Sequence, residues 1–360
     1  MSGRRSFGFF QLIRRSARRS YPVSLSALAV AGLATDASIG GTKTDPGLAF
    51  EFGLAYFPHS EKLAKGGEDA YFYNHSVNAF GVADGVGAWS TMGIDPAKFS
   101  RKLMRLSEYA IIENAAESED KEQLMPTQAM RLAYDGVRRL GIQGSCTALI
   151  GILRDDALYM ANLGDSGAMI LSRNDDDDKS LLANPNALSS ISLSDSKPDR
   201  RSFLESKVVI SDDDSDQHPS IQSGYDIVYK TEDQQHRFNC PYQLGLESSD
   251  APEASSVSKH TMKIGDLVIV GSDGLWDNLF DYDIQRLADE SDDVTELAYI
   301  IANAASRRAS KTRGARATPF AVDAAEAGIM FQGGKMDDIT VIVAKVVPAS
   351  PRLPPARARL

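Results

Sequence analysis

Apolar positions in this chain recur with two periods, and the change from one to the other divides it into elements. Over Leu48 to Phe57, Ala70 to Tyr73 and Val77 to Ala83, apolar and aromatic residues alternate in part with polar ones, the spacing of strands. Helical spacing follows. Pro96 opens a first helix with Phe99, Leu103, Leu106, Tyr109 and Ala110 on one face; Pro126 and Thr127 open a second with Met130, Tyr134, Val137 and Leu140. Strands resume at Ser145 to Leu153, Ala157 to Leu163 and Gly167 to Leu171. The short Arg154-Asp155-Asp156 link predicts an antiparallel meander of these three. A strand at Tyr225 to Tyr229 comes next, then Leu267 to Ser272, whose Leu-Val-Ile-Val run calls for burial on both faces. Helices are expected at Tyr282 to Asp289, Val294 to Arg308 and Val322 to Ala327, and a last strand at Ile339 to Val347. Strand runs interleaved with helix pairs, rather than strict alternation, predict an α+β layered architecture with antiparallel sheets and helices outside.

The pattern lapses in three places. Residues 172–220 are rich in Ser, Asp and Asn, with acid runs at Asp175 to Asp178 and Asp212 to Asp214, and bury too little to offset ordering; a surface insertion or disordered loop is expected. Pro348, Pro351, Pro354 and Pro355 mark residues 348–360 as a disordered tail. Residues 1–35 hold six arginines (Arg4, Arg5, Arg14, Arg15, Arg18 and Arg19) and no Asp, Glu or Lys, the composition of an organellar transit peptide. Mitochondrial import is the first reading of that leader. A plastid transit peptide, a secretory signal over Leu25 to Ala34 and a plain basic tail are the alternatives.

Composition narrows the chemistry. With 360 residues and 42% apolar content, one catalytic domain with extensions fits best. A formal charge of -10 argues against nucleic acid as a partner. No stretch approaches the ~20 apolar residues that cross a bilayer, so stable membrane insertion is not expected. Cys146 and Cys240 are too few for a disulfide framework or a thiolate zinc site and are expected to be reduced and buried. The five histidines lack HxH or HExxH spacing, which leaves oxygen ligands and hence Mg2+ or Mn2+.

Carboxylates suited to that task stand at strand ends. Three islands recur: Val82-Ala83-Asp84-Gly85-Val86-Gly87, Gly271-Ser272-Asp273-Gly274-Leu275-Trp276-Asp277 and Gly333-Gly334-Lys335-Met336-Asp337-Asp338-Ile339-Thr340. Asp-Gly alone is a common turn dipeptide, but here each aspartate sits where an apolar run opens into a loop or begins. Glu68-Asp69 and Asp165 add further strand-end acids. Clustered anions repel unless a divalent cation neutralises them, and the glycines let a backbone carbonyl approach as another hard ligand. The set therefore predicts a binuclear centre, two ions roughly 3.5–4 Å apart able to bind a bridging hydroxide and clamp a phosphoryl group.

In this order, Glu68-Asp69, Asp84-Gly85, Gly164-Asp165-Ser166, Ser272-Asp273-Gly274 and Asp337-Asp338-Ile339-Thr340-Val341, the chain resembles the metal-dependent type 2C protein serine/threonine phosphatases over about residues 47–347. It is most similar to their mitochondrial branch, through Gly81 to Gly87 with Trp89 and through Gln234 to Leu244. The resemblance implies a four-layer αββα sandwich with two central antiparallel sheets. It also implies a monomeric hydrolase of phosphoserine and phosphothreonine in protein substrates, working by direct attack of a hydroxide bridging two Mg2+ or Mn2+ ions, in the mitochondrial matrix. Asp84 would bridge both metals and the Gly85 carbonyl would hold the second, with Asp273 and Asp337 on the first. Glu68 and Asp69 would act through bound water, and Asp165 with Asp273 could hold a weak third ion. Asp338 would support the ligands.

Two positions depart from the family pattern. Val86 stands where many relatives have a histidine, the proposed general acid, which leaves bound water or His236 as proton sources. Ala64 stands where a phosphate-docking arginine often lies, leaving Lys62 or Lys65 to supply charge without the bidentate fork. These changes motivate the alternative of a pseudophosphatase that binds phosphoproteins without turnover. A haloacid-dehalogenase-type mechanism needs an aspartate two residues before another, and Val82 holds that place before Asp84. Trp89 and Trp276 are expected to pack loops on sheets, His236 to be structural and Cys146 with Thr147 to be core.

Overall fold

The computed structural model describes residues 47–116, 123–174, 223–311 and 317–349, all within one unit, Pro46–Leu360. The leader 1–35, the acidic stretch from residue 175 to 220 and the tail from residue 350 lie outside the described residues. Two five-stranded antiparallel sheets carry the fold. The first joins β1 (Leu48–Phe57), β14 (Ile339–Pro348), β13 (Leu267–Gly271), β7 (Gly167–Arg173) and β8 (Tyr225–Lys230) in that order. The second joins β12 (Ser256–Thr261), β6 (Ala157–Leu163), β5 (Ala148–Arg154), β3 (Ala79–Ala83) and β2 (Ala70–Asn74).

Alternation along the strands explains why the sheets stack. In β13, Val268 and Val270 face the other sheet while Leu267 and Ile269 face helices; in β14, Ile342, Ala344 and Val346 point between the sheets and Ile339, Val341 and Val343 point outward. Such strands are apolar on both faces and need cover on both. The second sheet is covered by α1 (Ala97–Ala116) and α2 (Pro126–Arg139), through Phe99, Leu103, Met130 and Val137 packed on Ile150 and Ile152. The first is covered by α3 (Asp273–Trp276), α4 (Asp281–Leu287) and α5 (Val294–Ala309), through Leu275, Ile284, Leu297 and Ile301. A last helix, α6 (Pro319–Glu326), is capped by Thr318, whose hydroxyl accepts from Ala321 N–H. The four-layer αββα sandwich is therefore the observed architecture. At Gly53 a Cβ would overlap the Val294 carbonyl, so β1 takes glycine where α5 begins.

Four expectations need correction. The meander over residues 145–171 does not form: β5 and β6 pair, but β7 joins β13 and β8 in the other sheet, and β12 takes the vacated edge of β6. Left-handed Gly164 (φ 106°) turns the chain from one sheet to the other, and polar, half-exposed β12 had no apolar run to announce it. The expected strand from Ser145 is broken at Thr147, whose N–H donates to the Asp84 carbonyl; only Ser145–Cys146 (β4) precedes it, paired with β11 (Leu244–Gly245). Pro348, assigned to the tail, ends β14 opposite Leu48. Cys146 is buried as expected, but Cys240, in the two-residue strand β10 (Cys240–Pro241), is only partly so.

Candidate metal centre

The carboxylates collect where the two sheets end together, and each is placed by a local break in regular structure. After a 3-10 turn, Ser60–Lys65, two left-handed glycines, Gly66 (φ 73°) and Gly67 (φ 72°), swing the chain inward to Glu68 and Asp69. A side chain at Gly67 would overlap the Tyr56 hydroxyl, which donates to the Gly66 carbonyl at 2.8 Å. Asp338 braces this loop, accepting from His59 N–H and Glu68 N–H at 2.7 Å each.

Asp84 leaves β3 into a short bridge between Gly85 and Cys146, with Asp84 N–H donating to Thr147 Oγ1 at 3.0 Å and Val86 N–H to the Ser145 carbonyl. At Gly85 a Cβ would meet the Glu68 carbonyl at 2.7 Å, so the two loops touch through backbone. From the other sheet, Asp273 starts α3, and Gly274 lies where a Cβ would overlap the Asp338 carbonyl. Asp337 and Asp338 immediately precede β14. Asp165 rides the Gly164 crossover between the sheets.

Buried like charges set the electrostatics. Enclosure pushes the Asp84 carboxyl well up, and Asp273, Asp69, Asp337 and Asp165 push it further. Asp273 moves the other way: burial would raise it, but the Lys335 ammonium at 2.5 Å and a hydrogen bond with Asp84 hold it below the usual carboxylate range. The two carboxyls are thus displaced in opposite directions, the behaviour of buried acids that interact strongly. Burial, with Asp338 beside it, lifts Asp69 to about 8. Asp337 is raised by burial and by Asp273, and Asp165 by burial and by Asp273.

Two lysines enter this cluster. Lys62 reaches Glu68 at 2.7 Å, Asp337 at 3.1 Å and Asp338 at 3.4 Å. Burial opposes its charge, but Asp337 and its neighbours outweigh this and raise the ammonium. Lys65, the other expected source of charge, is exposed. Lys335 bridges Asp273, Asp277 at 2.6 Å and Asp337 at 3.9 Å. Neither Lys335 nor Asp277 was singled out from the sequence, although both stand inside the aspartate-glycine islands. His236 lies apart from the carboxylates: Asp250 engages its Nε2 at 2.9 Å and Tyr242 stacks on its ring, a structural arrangement. Trp276 is core and donates to the Gly271 carbonyl, and Trp89 donates to Ser145 Oγ at 2.6 Å.

The fit to a hard cation rests on oxygens without partners. Asp69 Oδ1, Asp165 Oδ1 and Asp273 Oδ1 are buried and accept no hydrogen bond, which costs free energy until a donor or cation arrives. All are oxygen ligands of the kind Mg2+ and Mn2+ take. The geometry is open. Among the described residues no group of three or more His, Cys, Asp or Glu is arranged to hold a single ion, and the two ammoniums supply the neutralising charge.

Residues 66–184 match the family profile described as Protein phosphatase 2C. The chain is 33% identical over 301 residues to "Probable protein phosphatase 2C 55" of Arabidopsis thaliana, covering 82% of this chain and 51% of that one, so it spans about half of that relative's length. It is 27% identical over 345 residues to "Protein phosphatase PTC7 homolog" of Danio rerio, covering 89% and 98%. Its fold is similar to the X-ray structure of the photosystem II phosphatase PBCP, with a TM-score of 0.61, 26% identity, and coverage of 84% of this chain and 100% of that one. With the strand-end acids in the family's order at one end of an αββα sandwich, the chain belongs to the protein phosphatase 2C family.

Proposed function

We propose that the protein is a Mg2+- or Mn2+-dependent protein serine/threonine phosphatase. The observation that carries this reading is the gathering of strand-end acids from both sheets, in which the Oδ1 atoms of Asp69, Asp165 and Asp273 are buried without partners and burial, with Asp273 and Asp337, raises the carboxyl of Asp84. In this reading Asp84, Asp273, Asp337 and the Gly85 carbonyl hold two ions, Glu68 and Asp69 act through water, and Asp165 with Asp273 takes a weaker third. When bound, such ions supply Lewis acidity toward phosphoryl oxygens and lower the pKa of water.

The remaining chemistry belongs to the chain. Lys62, held beside Glu68 and Asp337, gives the mouth a fixed positive charge for phosphoryl oxygens in place of the arginine absent at Ala64. Val86 has no ionisable proton and His236 is engaged by Asp250, so in this reading water at the mouth, or a carboxyl of the cluster with a raised pKa, supplies the proton for the leaving serine or threonine oxygen. Asp338 keeps the Glu68-Asp69 loop seated through two backbone bonds. The arginine-rich, acid-free residues 1–35 support a mitochondrial address, and imaging the full chain against one lacking them tests it.

The decisive assay is Mn2+-dependent hydrolysis of p-nitrophenyl phosphate and of a phosphothreonine peptide, with Asp84→Asn alongside. Hydrolysis that needs metal and Asp84 is expected. Equal turnover without metal overturns the reading, and calorimetric Mn2+ binding with no turnover turns it toward a binding protein.

A further inference from the structure

Beside the carboxylate cluster opens a pocket of about 290 Å³ whose walls, apart from Asp165, the phosphoryl chemistry does not use. Asp165 forms its inner end. That residue is 6% exposed; Gln235 reaches its Oδ2 at 3.3 Å, and its Oδ1 accepts from nothing. Asp277 lies next to it, and Asp233, Asp323 and Glu326 ring the opening. The last two stand three apart on α6, one face of one helix. The nearby ammoniums are shared: Lys335 pairs with Asp273 and Asp277, and Lys230, which also acts on Asp233 and Asp323, pairs with Asp281 at 2.6 Å. The pocket is thus a hollow rich in carboxyl groups with a buried, unpartnered oxygen at its inner end.

Its remaining wall is aromatic. Phe238 and Phe320 meet with ring centroids 5.1 Å apart, and the Phe320 ring already lies 5.1 Å from the Lys335 ammonium. Carboxylates around an aromatic face suit a long side chain with an apolar stem and a cationic head. A bare divalent ion uses neither the rings nor so large a volume.

We propose that this pocket receives an arginine or lysine side chain lying close in sequence to the phosphorylated residue of the substrate, so that the protein selects basic phosphopeptides. This deepens the phosphatase reading and rests on it. Because Asp165 and Asp277 border both the pocket and the carboxylate cluster, the basic residue lies within a few positions of the phosphoserine or phosphothreonine.

The test compares phosphothreonine peptides carrying one arginine at each of the three positions on either side with an all-alanine peptide, using the Mn2+-loaded full chain. At the matching position, kcat/KM should rise roughly tenfold, mostly through KM, the size of one charge-assisted contact. The preference should shrink with added salt. In Asp323→Asn/Glu326→Gln, and separately in Asp233→Asn, the ratio of arginine to alanine peptide should fall toward one; each ratio is internal to one protein, so changes in overall activity cancel. Equal kcat/KM for all peptides in the unaltered protein, or an arginine preference that survives in both variants, overturns the proposal. Peptide affinity by fluorescence anisotropy carries the same comparison. A tenfold arginine preference in binding without turnover supports the pocket while sinking the phosphatase reading; turnover of p-nitrophenyl phosphate with no preference in either assay sinks the pocket alone.

Discussion

Between the two sheets, Phe80, Val82, Ile170 and Val270 fill a layer in which every side chain is apolar and enclosed; at the end of the same strands, Asp69, Asp165 and Asp273 are nearly as enclosed, Asp84 is half-buried among them, and the four repel one another. One region completes its interactions within the chain. The other leaves oxygens unpartnered and carboxyl groups displaced in both directions, so its free energy is recovered only from something that binds. The difference teaches that burial alone does not identify what a region contributes; satisfaction does.

The comparison breaks most readily in the apolar layer. Phe80 is fully buried against Gly151, where any side chain would overlap its ring. Phe80→Ala should cost about 3–5 kcal/mol of unfolding free energy, with or without divalent metal, as read by urea titration. A loss that Mn2+ restores would place the layer under control of the site and erase the distinction drawn here.

Asp84→Asn should do the reverse. Removing one electrostatic group from the centre should lower hydrolysis about 10²–10³-fold, and abolish the Mn2+ thermal shift expected of the parent. The metal-free variant should be the more stable protein by about 1 kcal/mol. The sign follows from the raised carboxyl: folded Asp84 holds its proton more tightly than the unfolded chain does, so above the ordinary carboxylate range the group favours unfolding. A metal-free variant less stable than the parent would refute the view of this end as strained.

Lys335 marks the point where the strain is partly relieved. Lys335→Met leaves Asp273 and Asp277 buried without their shared ammonium, and unfolding free energy of the metal-free protein should fall by about 3 kcal/mol. Mn2+ should recover part of the loss, measured by thermal denaturation across a metal titration, since a cation can replace the missing charge. No dependence on metal would show that the lysine and the ion do not share these oxygens.

The apolar layer was legible in the chain because alternation and two-face burial leave a periodic trace: β1 and β6 begin and end where the pattern places them, and β14 begins there. The site was legible through strand-end acids. What escaped has a physical cause in each case. The path from β6 to β7 turns on one left-handed glycine, and nothing local to Gly164 states which sheet receives the next strand. Edge strand β12, Ser-Val-Ser-Lys-His-Thr, pairs by backbone and carries no core signal. Lys335 and Asp277 act through contacts across roughly sixty residues, which spacing does not encode.

A smaller effect probes the seam where the regions meet. Trp89 follows Asp84 in the 3-10 turn Gly87–Met92, and its Nε1 donates to Ser145 Oγ, which in turn donates to Gln243 Oε1 at 2.5 Å. Gln243 N–H and His236 both meet Asp250, so the loop that positions Asp84 is tied by side chains to the segment after β8. Trp89→Phe keeps one aromatic ring and removes the five-membered ring that carries the donor. It should cost about 1 kcal/mol of stability, the worth of one hydrogen bond, while Mn2+ affinity falls modestly and core packing, read by the urea m-value, stays as it was. If stability drops but Mn2+ affinity does not, the chain through Ser145 and Gln243 serves the sandwich alone, and Asp84 is seated by its backbone bonds to Thr147 rather than by this network.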